Sequence, residues 1–189
     1  MEAFPFRQTE QSCLYDGIGS IPVSVLLDNV RSLYNVGSFF RTCDTAGIHT
    51  LYLGGITGHP PHRGISKTAL GAEDNVSWYH HIDVTVLIER IRKSGQEIVA
   101  VETSPNAVDL YDWQPVFPIC LVFGNEITGV SSAIAERAET HVRIPSLGIK
   151  QSLNVATAGG VVIYELLRKF RRQYECDHNN KNVKPRSNR

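Results

Sequence analysis

Three short polar segments of the sequence carry residue types from which a binding or catalytic site could be built. The first contains Asn35 and Arg41, the second contains Glu126, and the third contains Ser152 and Asn154. Each segment alone could be a helix cap or a turn. Each also falls where a predicted strand ends or a predicted helix begins, and open α/β sheets bind ligands beyond the carboxyl ends of their strands. The sequence therefore predicts that the three segments line one pocket.

Arg41 indicates which kind of ligand the pocket could take. It follows Gly37 by four residues, so on a helix the two share a face, and the missing side chain at Gly37 would leave room over the guanidinium. A guanidinium near a helix N-terminus favours an anion such as a phosphate. The alternatives are that Asn35 is the N-cap of this helix and that Arg41 forms a surface ion pair.

The second and third segments follow apolar strands. Glu126 comes just after a buried strand predicted over residues 119–123, although a helix-cap or ion-pair role remains open for it. Ser152 could cap the last helix, with Asn154 in its first turn. A cap alone would not require a polar Asn154 in so apolar a run. The preceding loop has free backbone groups beside Leu147 and Ile149, and it could hold the edge of a flat heteroaromatic ring.

The elements that must position these segments alternate along the chain. Apolar, β-branched runs predict strands at residues 23–27, 50–53, 76–79, 97–101, 119–123 and 141–144. Helical patterns predict helices at residues 37–46, 85–93, 131–138 and 152–172. This alternation is typical of a mainly parallel sheet flanked by helices. Residues 54–64 contain too many glycines and prolines for either element, so we expect a long loop, which is often functional.

The last helix predicts a second subunit. Glu165 is the only charged residue between Leu153 and Leu167, and a helix that is apolar nearly all round must be buried on most sides. Gly159 and Gly160 in its middle predict the close approach of another backbone. A second copy of the chain is the natural cover in a one-domain protein, so we expect a homodimer.

The bulk properties favour one globular domain. The chain has 189 residues, of which 42% are hydrophobic, and we place the domain at residues 23–172, after an extension at 1–22 and before a basic polar tail at 173–189 that we expect to be flexible. No apolar run is long enough to span a bilayer, and the N-terminus has no signal-peptide pattern, so we expect a cytoplasmic protein without membrane contact. The cysteines are widely spaced, which predicts free, mostly buried thiols.

The net charge of zero conceals an asymmetry. Residues 168–189 contain eight Lys or Arg against two acidic residues, which leaves eleven against seventeen in the rest of the chain. Such a tail could attract a phosphate backbone, or it could be a solvated helix end followed by a disordered terminus. Its basic residues are Arg168, Lys169, Arg171, Arg172, Lys181, Lys184, Arg186 and Arg189.

Taken together and in order, the segments resemble the three motifs of the SpoU/TrmH branch of the SPOUT superfamily of RNA methyltransferases. Asn35-x-Gly37-x-x-x-Arg41 is similar to the first motif, and Phe123-Gly124-Asn125-Glu126-x-x-Gly129 is similar to the second. Ile144-Pro145 through Ser152-Leu153-Asn154-Val155 is similar to the third. The resemblance extends from about residue 27 to residue 167 and includes a segment at 68–73 that is similar to bacterial TrmH-like members.

The resemblance implies a SPOUT-type α/β fold whose C-terminal part, from residue 122 onward, forms a deep trefoil knot. It also implies that S-adenosylmethionine binds in the knotted loops. The residues expected around this cofactor are Thr103, Gly124, Ile144 and Leu153. The expected homodimer forms through the knot and the C-terminal helix, and each site draws on both subunits.

The reaction implied by the resemblance is methyl transfer to a ribose 2′-hydroxyl of RNA, with tRNA as the expected substrate and rRNA as the alternative. The family assigns the counterpart of Arg41 to this hydroxyl or its neighbouring phosphate, sometimes as a base. A guanidinium is a poor proton acceptor near neutral pH, so we expect Arg41 to stabilise the alkoxide and hold the phosphate. Asn35, Glu126, Ser152 and Asn154 would orient Arg41 and the ribose.

Three other functions are compatible with the sequence. One is a non-catalytic RNA-binding or assembly protein on the same fold, and another is a base-modifying member of the superfamily. The third is a metal hydrolase built on His59, His62, His80 and His81, but these residues lack the helical spacing of a ligand pair, and we predict no metal. Substrate choice would depend on the body of the domain, the loop at 54–64 or the basic tail.

Overall fold

The computed structural model of the chain describes residues 15–182. Within this range the strands are β1 (Val23–Asp28), β2 (Thr50–Gly54), β3 (Ser77–His81), β4 (Glu97–Val101), β5 (Val108–Asp109), β6 (Ile119–Phe123) and β7 (Thr140–Arg143). The α-helices are α1 (Leu33–Ala46), α2 (Arg63–Ala69), α3 (Val84–Lys93), α4 (Ser132–Ala135) and α5 (Val155–Asn182), and a short 3₁₀ helix spans Ala72–Asp74.

The described strands form one sheet in the order β3-β2-β1-β6-β4-β7-β5, and all the paired strands are parallel. A parallel sheet is covered on both faces, which explains why its strands are apolar without alternation. In β6, for example, all five residues are buried. The predicted parallel α/β architecture is therefore confirmed.

Separate clusters of buried side chains cover the two faces of the sheet. On one face, Phe39 and Phe40 of α1 and Ile163 of α5 pack over residues such as Leu27 of β1 and Leu121 of β6. On the other face, the apolar side of α3 packs over β1, β4 and β6 through Leu87, Ile88 and Ile91. Neighbouring residues of a strand point to opposite faces, so each central strand contributes to both clusters.

The predicted strands at 23–27, 50–53, 76–79, 97–101, 119–123 and 141–144 are present with small shifts of their ends. β5 and α2 were not predicted. The loop predicted over residues 54–64 ends earlier, because His62 caps α2 by accepting a hydrogen bond from the backbone N–H of Gly64 (3.0 Å). The last helix begins at Val155 rather than residue 152 and continues to Asn182.

One side of helix α5 is covered by its own chain, with Gly159, Val162, Ile163 and Leu166 buried. Gly159 lies against the ring of Phe39 in α1, where an added Cβ would stand 2.4 Å from a ring carbon. The predicted close approach is therefore correct for Gly159, although it is to an aromatic side chain rather than a backbone. Gly160 has no atom of its own chain within 4 Å of an added Cβ, so for this residue the close approach remains a prediction about a second subunit.

Two basic residues near the end of α5 have partners within the domain. The ammonium of Lys169 donates hydrogen bonds to the backbone carbonyls of Leu110 (2.7 Å) and Trp113, and Arg168 forms an ion pair with Glu165 (2.6 Å). Lys169 therefore fixes α5 to the segment after β5, whereas Arg168 is paired within the helix itself. Lys184, Arg186 and Arg189, together with Cys13, lie outside the described residues.

Cys43 and Cys120 are buried free thiols, as predicted, whereas Cys176 is exposed. Burial raises the pKa of the Cys120 thiol to about 12, so it stays protonated and unreactive. None of the helices within residues 15–182 has the length and hydropathy needed to cross a membrane.

Candidate active site

A cavity of about 420 Å³ lies beyond the carboxyl ends of β4, β6 and β7. This is the edge at which open α/β sheets bind ligands, and the volume suits a cofactor-sized molecule. Segments that follow the three strands form its walls. The lining residues include Glu102, Thr103, Phe123, Gly124, Glu126, Gly129, Ile144, Ser152, Leu153, Asn154 and Ala158. The four residues predicted to contact the cofactor, Thr103, Gly124, Ile144 and Leu153, all lie in this wall.

The second segment is a tight turn that closes on itself. Asn125 and Gly129 exchange two backbone hydrogen bonds (3.0 and 2.9 Å), and the Asn125 side chain accepts hydrogen bonds from the N–H groups of Ile127 and Thr128. An added Cβ on Gly124 would stand 2.1 Å from the Gly129 backbone. Glycine is therefore the residue that fits at position 124, because the two arms of the turn touch there.

Glu126 projects from this turn to the start of α1. Its carboxylate accepts hydrogen bonds from the backbone N–H groups of Arg31 (3.1 Å) and Ser32 (3.0 Å) and from the side-chain amide of Asn35 (2.9 Å). Partial burial alone would raise the pKa of Glu126, but these hydrogen bonds outweigh it and hold the pKa below its usual value. The carboxylate is therefore charged at neutral pH and fastens the second segment to the first.

Asn35 lies inside α1 and does not cap it. The N-cap is Ser32, whose hydroxyl accepts a hydrogen bond from the Asn35 backbone N–H (3.3 Å). The capping alternative for Asn35 is therefore wrong, because the helix begins at Leu33 and not at residue 37. Its side chain is free to donate to Glu126 and to accept from the amide of Asn154 (3.2 Å). We call the group formed by Asn35, Glu126 and Asn154 the polar junction.

Asn154 is the residue that caps α5. Its side-chain oxygen accepts hydrogen bonds from the backbone N–H groups of Ala156 (3.0 Å) and Thr157 (3.2 Å). The alternative in which Ser152 caps the helix and Asn154 lies in its first turn is wrong, because the cap lies two residues later. Ser152 is exposed and lines the cavity. Asn154 therefore has two roles. Its side-chain oxygen caps α5, and its NH₂ group donates a hydrogen bond to Asn35.

The loop between β7 and α5 leaves its backbone open. Within the described part of the chain, no backbone N–H or C=O group of residues 145–153 makes a hydrogen bond. Backbone polar groups require partners, so these groups can bind water or a ligand. Leu147 and Ile149 in the same loop have fully exposed side chains, and Leu153 is half exposed. The loop thus offers hydrogen-bonding edges and apolar contacts on one side of the cavity.

Two carboxylates at strand ends were missed by the sequence interpretation. Glu102, directly after β4, accepts hydrogen bonds from the backbone N–H groups of Thr103 (2.9 Å) and Val130 (3.0 Å). Asp28, the buried last residue of β1, accepts from the backbone N–H of Ser131 (2.8 Å). Glu102 and Asp28 therefore fix the backbone at Val130 and Ser131, just after the second segment. The signal that identified Glu126, a carboxylate just after a buried strand, applied equally to these two residues.

The first segment lies outside the cavity wall, because neither Asn35 nor Arg41 lines the cavity, so the prediction that all three segments line one pocket is wrong for it. Asn35 still reaches the site through the polar junction, whereas Arg41 does not. It is exposed on α1, two turns beyond Asn35, and within the described residues its guanidinium makes no hydrogen bond or ion pair. Gly37 does not provide space for Arg41. An added Cβ on Gly37 would stand 2.2 Å from Thr68 Oγ1 and 2.3 Å from the Ile65 carbonyl oxygen. The glycine instead allows α2 to pack directly on α1.

The histidines considered as metal ligands have other contacts. His59 stacks on Trp78 with ring centres 5.6 Å apart, His62 caps α2, and the His80 ring contacts the Gly55 carbonyl oxygen (3.1 Å). Across residues 15–182 no three His, Cys, Asp or Glu side chains form a group that could hold a metal ion. These histidines therefore contribute to the packing around the loop after β2.

The fold and the cavity together define an α/β protein that binds its ligand at the carboxyl edge of a parallel sheet. The chain belongs to the SpoU rRNA Methylase family, whose model matches residues 22–164. This confirms the resemblance drawn from the three motifs.

Individual relatives agree with this assignment. The chain is 35% identical over 148 residues to the tRNA (guanosine(18)-2′-O)-methyltransferase of Aquifex aeolicus (strain VF5), covering 76% of this chain and 68% of that protein. It is 28% identical over 146 residues to the enzyme of the same name from Escherichia coli (strain K12), covering 77% of this chain. The match spans only 63% of the length of that E. coli protein.

Solved structures of the family have the same fold. The crystal structure of the A. aeolicus TrmH/SpoU tRNA modifying enzyme superimposes with a TM-score of 0.74 at 30% identity, covering 81% of this chain and 77% of that one. The AdoMet-bound rRNA methyltransferase from Sinorhizobium meliloti gives a TM-score of 0.73 at 30% identity, covering 77% of this chain and 56% of that one.

Proposed function

We propose that this protein is an S-adenosylmethionine-dependent methyltransferase that methylates a ribose 2′-hydroxyl in RNA. One observation carries the proposal: the second and third motifs line one cavity, and the polar junction ties the first motif, 91 and 119 residues away along the chain, to both of them. The substrate class comes from the relatives, which are named as tRNA (guanosine(18)-2′-O)- and 23S rRNA (guanosine-2′-O-)-methyltransferases. We propose tRNA as the substrate, with rRNA as the alternative.

The cavity fits the proposed cofactor. Its volume of about 420 Å³ and its mixed lining suit a nucleoside joined to an amino acid. The unpaired backbone of residues 145–153 can pair with the edge of an adenine ring, and Leu153 and Ile144 can contact its faces. Thr103 and Gly124 lie across the cavity from this loop. When bound, the cofactor would supply an activated methyl group, so the protein must align the acceptor hydroxyl with it and allow the hydroxyl proton to leave as the new O–C bond forms.

Arg41 is proposed as the group that holds the phosphate and stabilises the developing alkoxide. Its guanidinium is exposed and lacks an ion-pair partner within the described residues, which leaves it available to an anion. It does not reach the cavity of its own chain. We therefore propose that Arg41 acts at the cavity of a second subunit, while Asn35, Glu126, Ser152 and Asn154 shape the receiving site.

The proposed homodimer has an uncovered apolar surface available to it. Ile127, Leu147 and Ile149 are more than 80% exposed beside the cavity, and contiguous exposed apolar groups mark interaction sites. The outer residues of α5, including Tyr164, adjoin α1 and could extend the interface. The dimer is tested by sedimentation, which should give twice the mass of one chain. Double substitution of Leu147 and Ile149 with Ser should then shift the population to monomers.

The trefoil knot and the domain limits belong to the same proposal. β6 lies between the earlier strands β1 and β4, and the chain after β7 must cross this edge of the sheet to bring α5 onto α1. We propose that it crosses through the loop that follows β6, and that residues 23–172 are the catalytic domain. Single-molecule stretching from the two termini should release less chain length than 189 residues can span, because a tightened knot retains several residues.

Methyl transfer is the direct test of the function. The purified protein is incubated with RNA from cells that lack it and with cofactor labelled in the methyl group. Digestion to nucleosides should place the label on ribose, with no change in the mass of the base. Label on a base would instead establish a base methyltransferase, and RNA binding without label would favour the non-catalytic alternative.

Arg41→Ala should reduce kcat by about 10²- to 10³-fold, the usual loss when one donor to a developing oxyanion is removed. Arg90→Ala is the matched control, since Arg90 is exposed on α3 at the other face of the sheet and has no ion pair within residues 15–182. A mixture of Arg41→Ala and Glu126→Ala subunits should recover activity that neither variant has alone. Failure of this complementation would place Arg41 at the site of its own chain.

A further inference from the structure

The surface shared by α1 and α2 is basic in an otherwise acidic domain. Residues 29–72 contain Arg31, Arg41, Arg63 and Lys67, and Asp44 is their only acidic residue. Asp44 lies near the far end of α1, about 15 Å from Tyr34 at 1.5 Å per helical residue. The first part of this surface is therefore predominantly basic, with the carboxylate of Glu126 at its Arg31 end and that of Glu73 just after α2.

Close packing holds the two helices in register. Because Gly37 has no side chain, the backbone of α2 lies directly against α1. The hydroxyl of Thr68 donates a hydrogen bond to the Tyr34 carbonyl oxygen (2.9 Å). This arrangement places the Lys67 ammonium 5.9 Å from the centre of the Tyr34 ring. The aromatic ring and the cations thus project from a rigid base.

The cations of this surface are unpaired. Arg31, Arg63 and Lys67 are exposed, and none has an ion-pair partner among the described residues. Some cations elsewhere are matched by carboxylates, as in the pairs Arg92–Glu139, Arg137–Glu89 and Arg168–Glu165, whereas others, such as Arg90 and Lys93 on α3, are unpaired as well within the described residues. Tyr34 is likewise 53% exposed, with one face over Lys67 and the rest open to solvent.

The surface begins at the rim of the candidate active site. The backbone N–H of Arg31 donates to Glu126, which lines the cavity, and Tyr34 follows within one helical turn. This surface therefore adjoins the rim of the cavity at Glu126. We call the group formed by Arg31, Tyr34, Arg63 and Lys67 the α1–α2 surface.

We propose that the α1–α2 surface binds the single-stranded RNA that flanks the methylated nucleotide. Arg31, Arg63 and Lys67 contact phosphates, and the open face of Tyr34 stacks on an unpaired base. Unpaired cations supply backbone affinity, and an exposed aromatic ring gives a stacking platform for single strands. The inference rests on the proposed function, since it takes RNA as the substrate. It goes further by assigning the surface along which the bound strand lies.

Two pairs of variants test the surface. Tyr34→Leu removes the stacking ring, and Tyr34→Phe keeps it. Arg63→Gln with Lys67→Gln removes two charges, and Arg90→Gln with Lys93→Gln removes two exposed, unpaired charges from α3 as a control. Thermal unfolding of each variant confirms that it remains folded.

Binding is measured by fluorescence anisotropy with unfractionated tRNA, and separately with rRNA, from cells that lack the protein. Tyr34→Leu should weaken RNA binding about 5- to 100-fold, the usual loss for one stacked base, while Tyr34→Phe binds like the wild type. Arg63→Gln with Lys67→Gln should lower the slope of log K against log salt by about 1.4, at about 0.7 per phosphate contact. Cofactor affinity should not change, and KM for RNA should rise with kcat nearly constant.

The outcomes separate this inference from the proposed function. A wild type that methylates RNA, with α1–α2 variants that keep its RNA affinity and salt slope, overturns the inference alone. A wild type that binds RNA through this surface but transfers no methyl group overturns the proposed function alone. A protein that neither binds nor methylates either RNA overturns both.

Discussion

Replacing Glu126 with Gln should weaken the fold and the site together. The change keeps the size of the side chain but turns one carboxylate oxygen into an NH₂ group. In the wild type, one oxygen accepts from Ser32 and Asn35 and the other accepts from Arg31. An NH₂ group at either place faces a donor, so at least one N–H at the start of α1 loses its partner.

The magnitude follows from these contacts. A hydrogen bond to a charged group contributes about 1.5–3 kcal/mol, and the exposure of Glu126 favours a value near the low end. We expect a loss of about 1–2 kcal/mol in the free energy of unfolding, which lowers Tm by about 2–8 °C in a chain of this length. Cofactor affinity should also fall, because Asn35 and Asn154 lose their fixed orientation.

At acid pH the wild type and the Glu126→Gln variant should become equally stable. The folded pKa of Glu126 is depressed, so its stabilisation is complete above the unfolded value of about 4.3 and is lost as the pH falls through the folded pKa. Gln does not titrate. Thermal unfolding of both proteins between pH 3 and 8, roughly spanning that transition, should therefore show a constant difference above about pH 5 that shrinks in acid.

Glu136→Gln is the matched control, because Glu136 is exposed beyond α4 and its side chain makes no hydrogen bond within the described residues. Equal unfolding temperatures for the Glu126 and Glu136 variants at pH 7 would refute the assignment of Glu126 as the link between the first and second segments. Equal cofactor affinities would show that the polar junction does not shape the cavity.

Two further pairs of substitutions probe α5. Gly159→Ala should lower the free energy of unfolding by about 1–3 kcal/mol, because the added Cβ would overlap the ring of Phe39. Gly160→Ala should raise it by up to about 1 kcal/mol, because the site has open space and alanine has the higher helix propensity. Lys169→Met should lower the free energy of unfolding by about 1–3 kcal/mol, because buried carbonyl groups lose their donor. Arg172→Met should change it little, because Arg172 is exposed. Urea unfolding measures all four, and equal values within either pair would contradict the packing described for α5.

Much of the sheet could be predicted because burial leaves a clear pattern in the sequence. The run at 119–123 is buried at all five positions and reads as a strand from composition alone. β5 has only two residues, one of them exposed, so it has no such pattern. Helix α2 offers only Ile65 and Ala69 as buried residues, and the prolines and glycines before it obscure its start.

The sequence pointed to the residues of the polar junction but not to their contacts, and it missed Glu102 and Asp28. Glu126 stood out because a carboxylate after a buried strand has few other reasons to be there. The caps were misjudged because Ser32 and Asn35 are equally good capping residues three positions apart, and only the fold decides between them. The partners of Asn35 are 91 and 119 residues away, and no local pattern reports such a distance.

The long separations within the polar junction also bear on how the protein folds. The hydrogen bond between Asn35 and Asn154 closes a segment of 119 residues, and that between Arg31 and Glu126 closes one of 95. Closing such long segments is unfavourable until the sheet already holds their ends together. The cavity should therefore be among the last parts of the molecule to form. Cofactor binding during refolding would then report the completion of the whole fold rather than the formation of any one element.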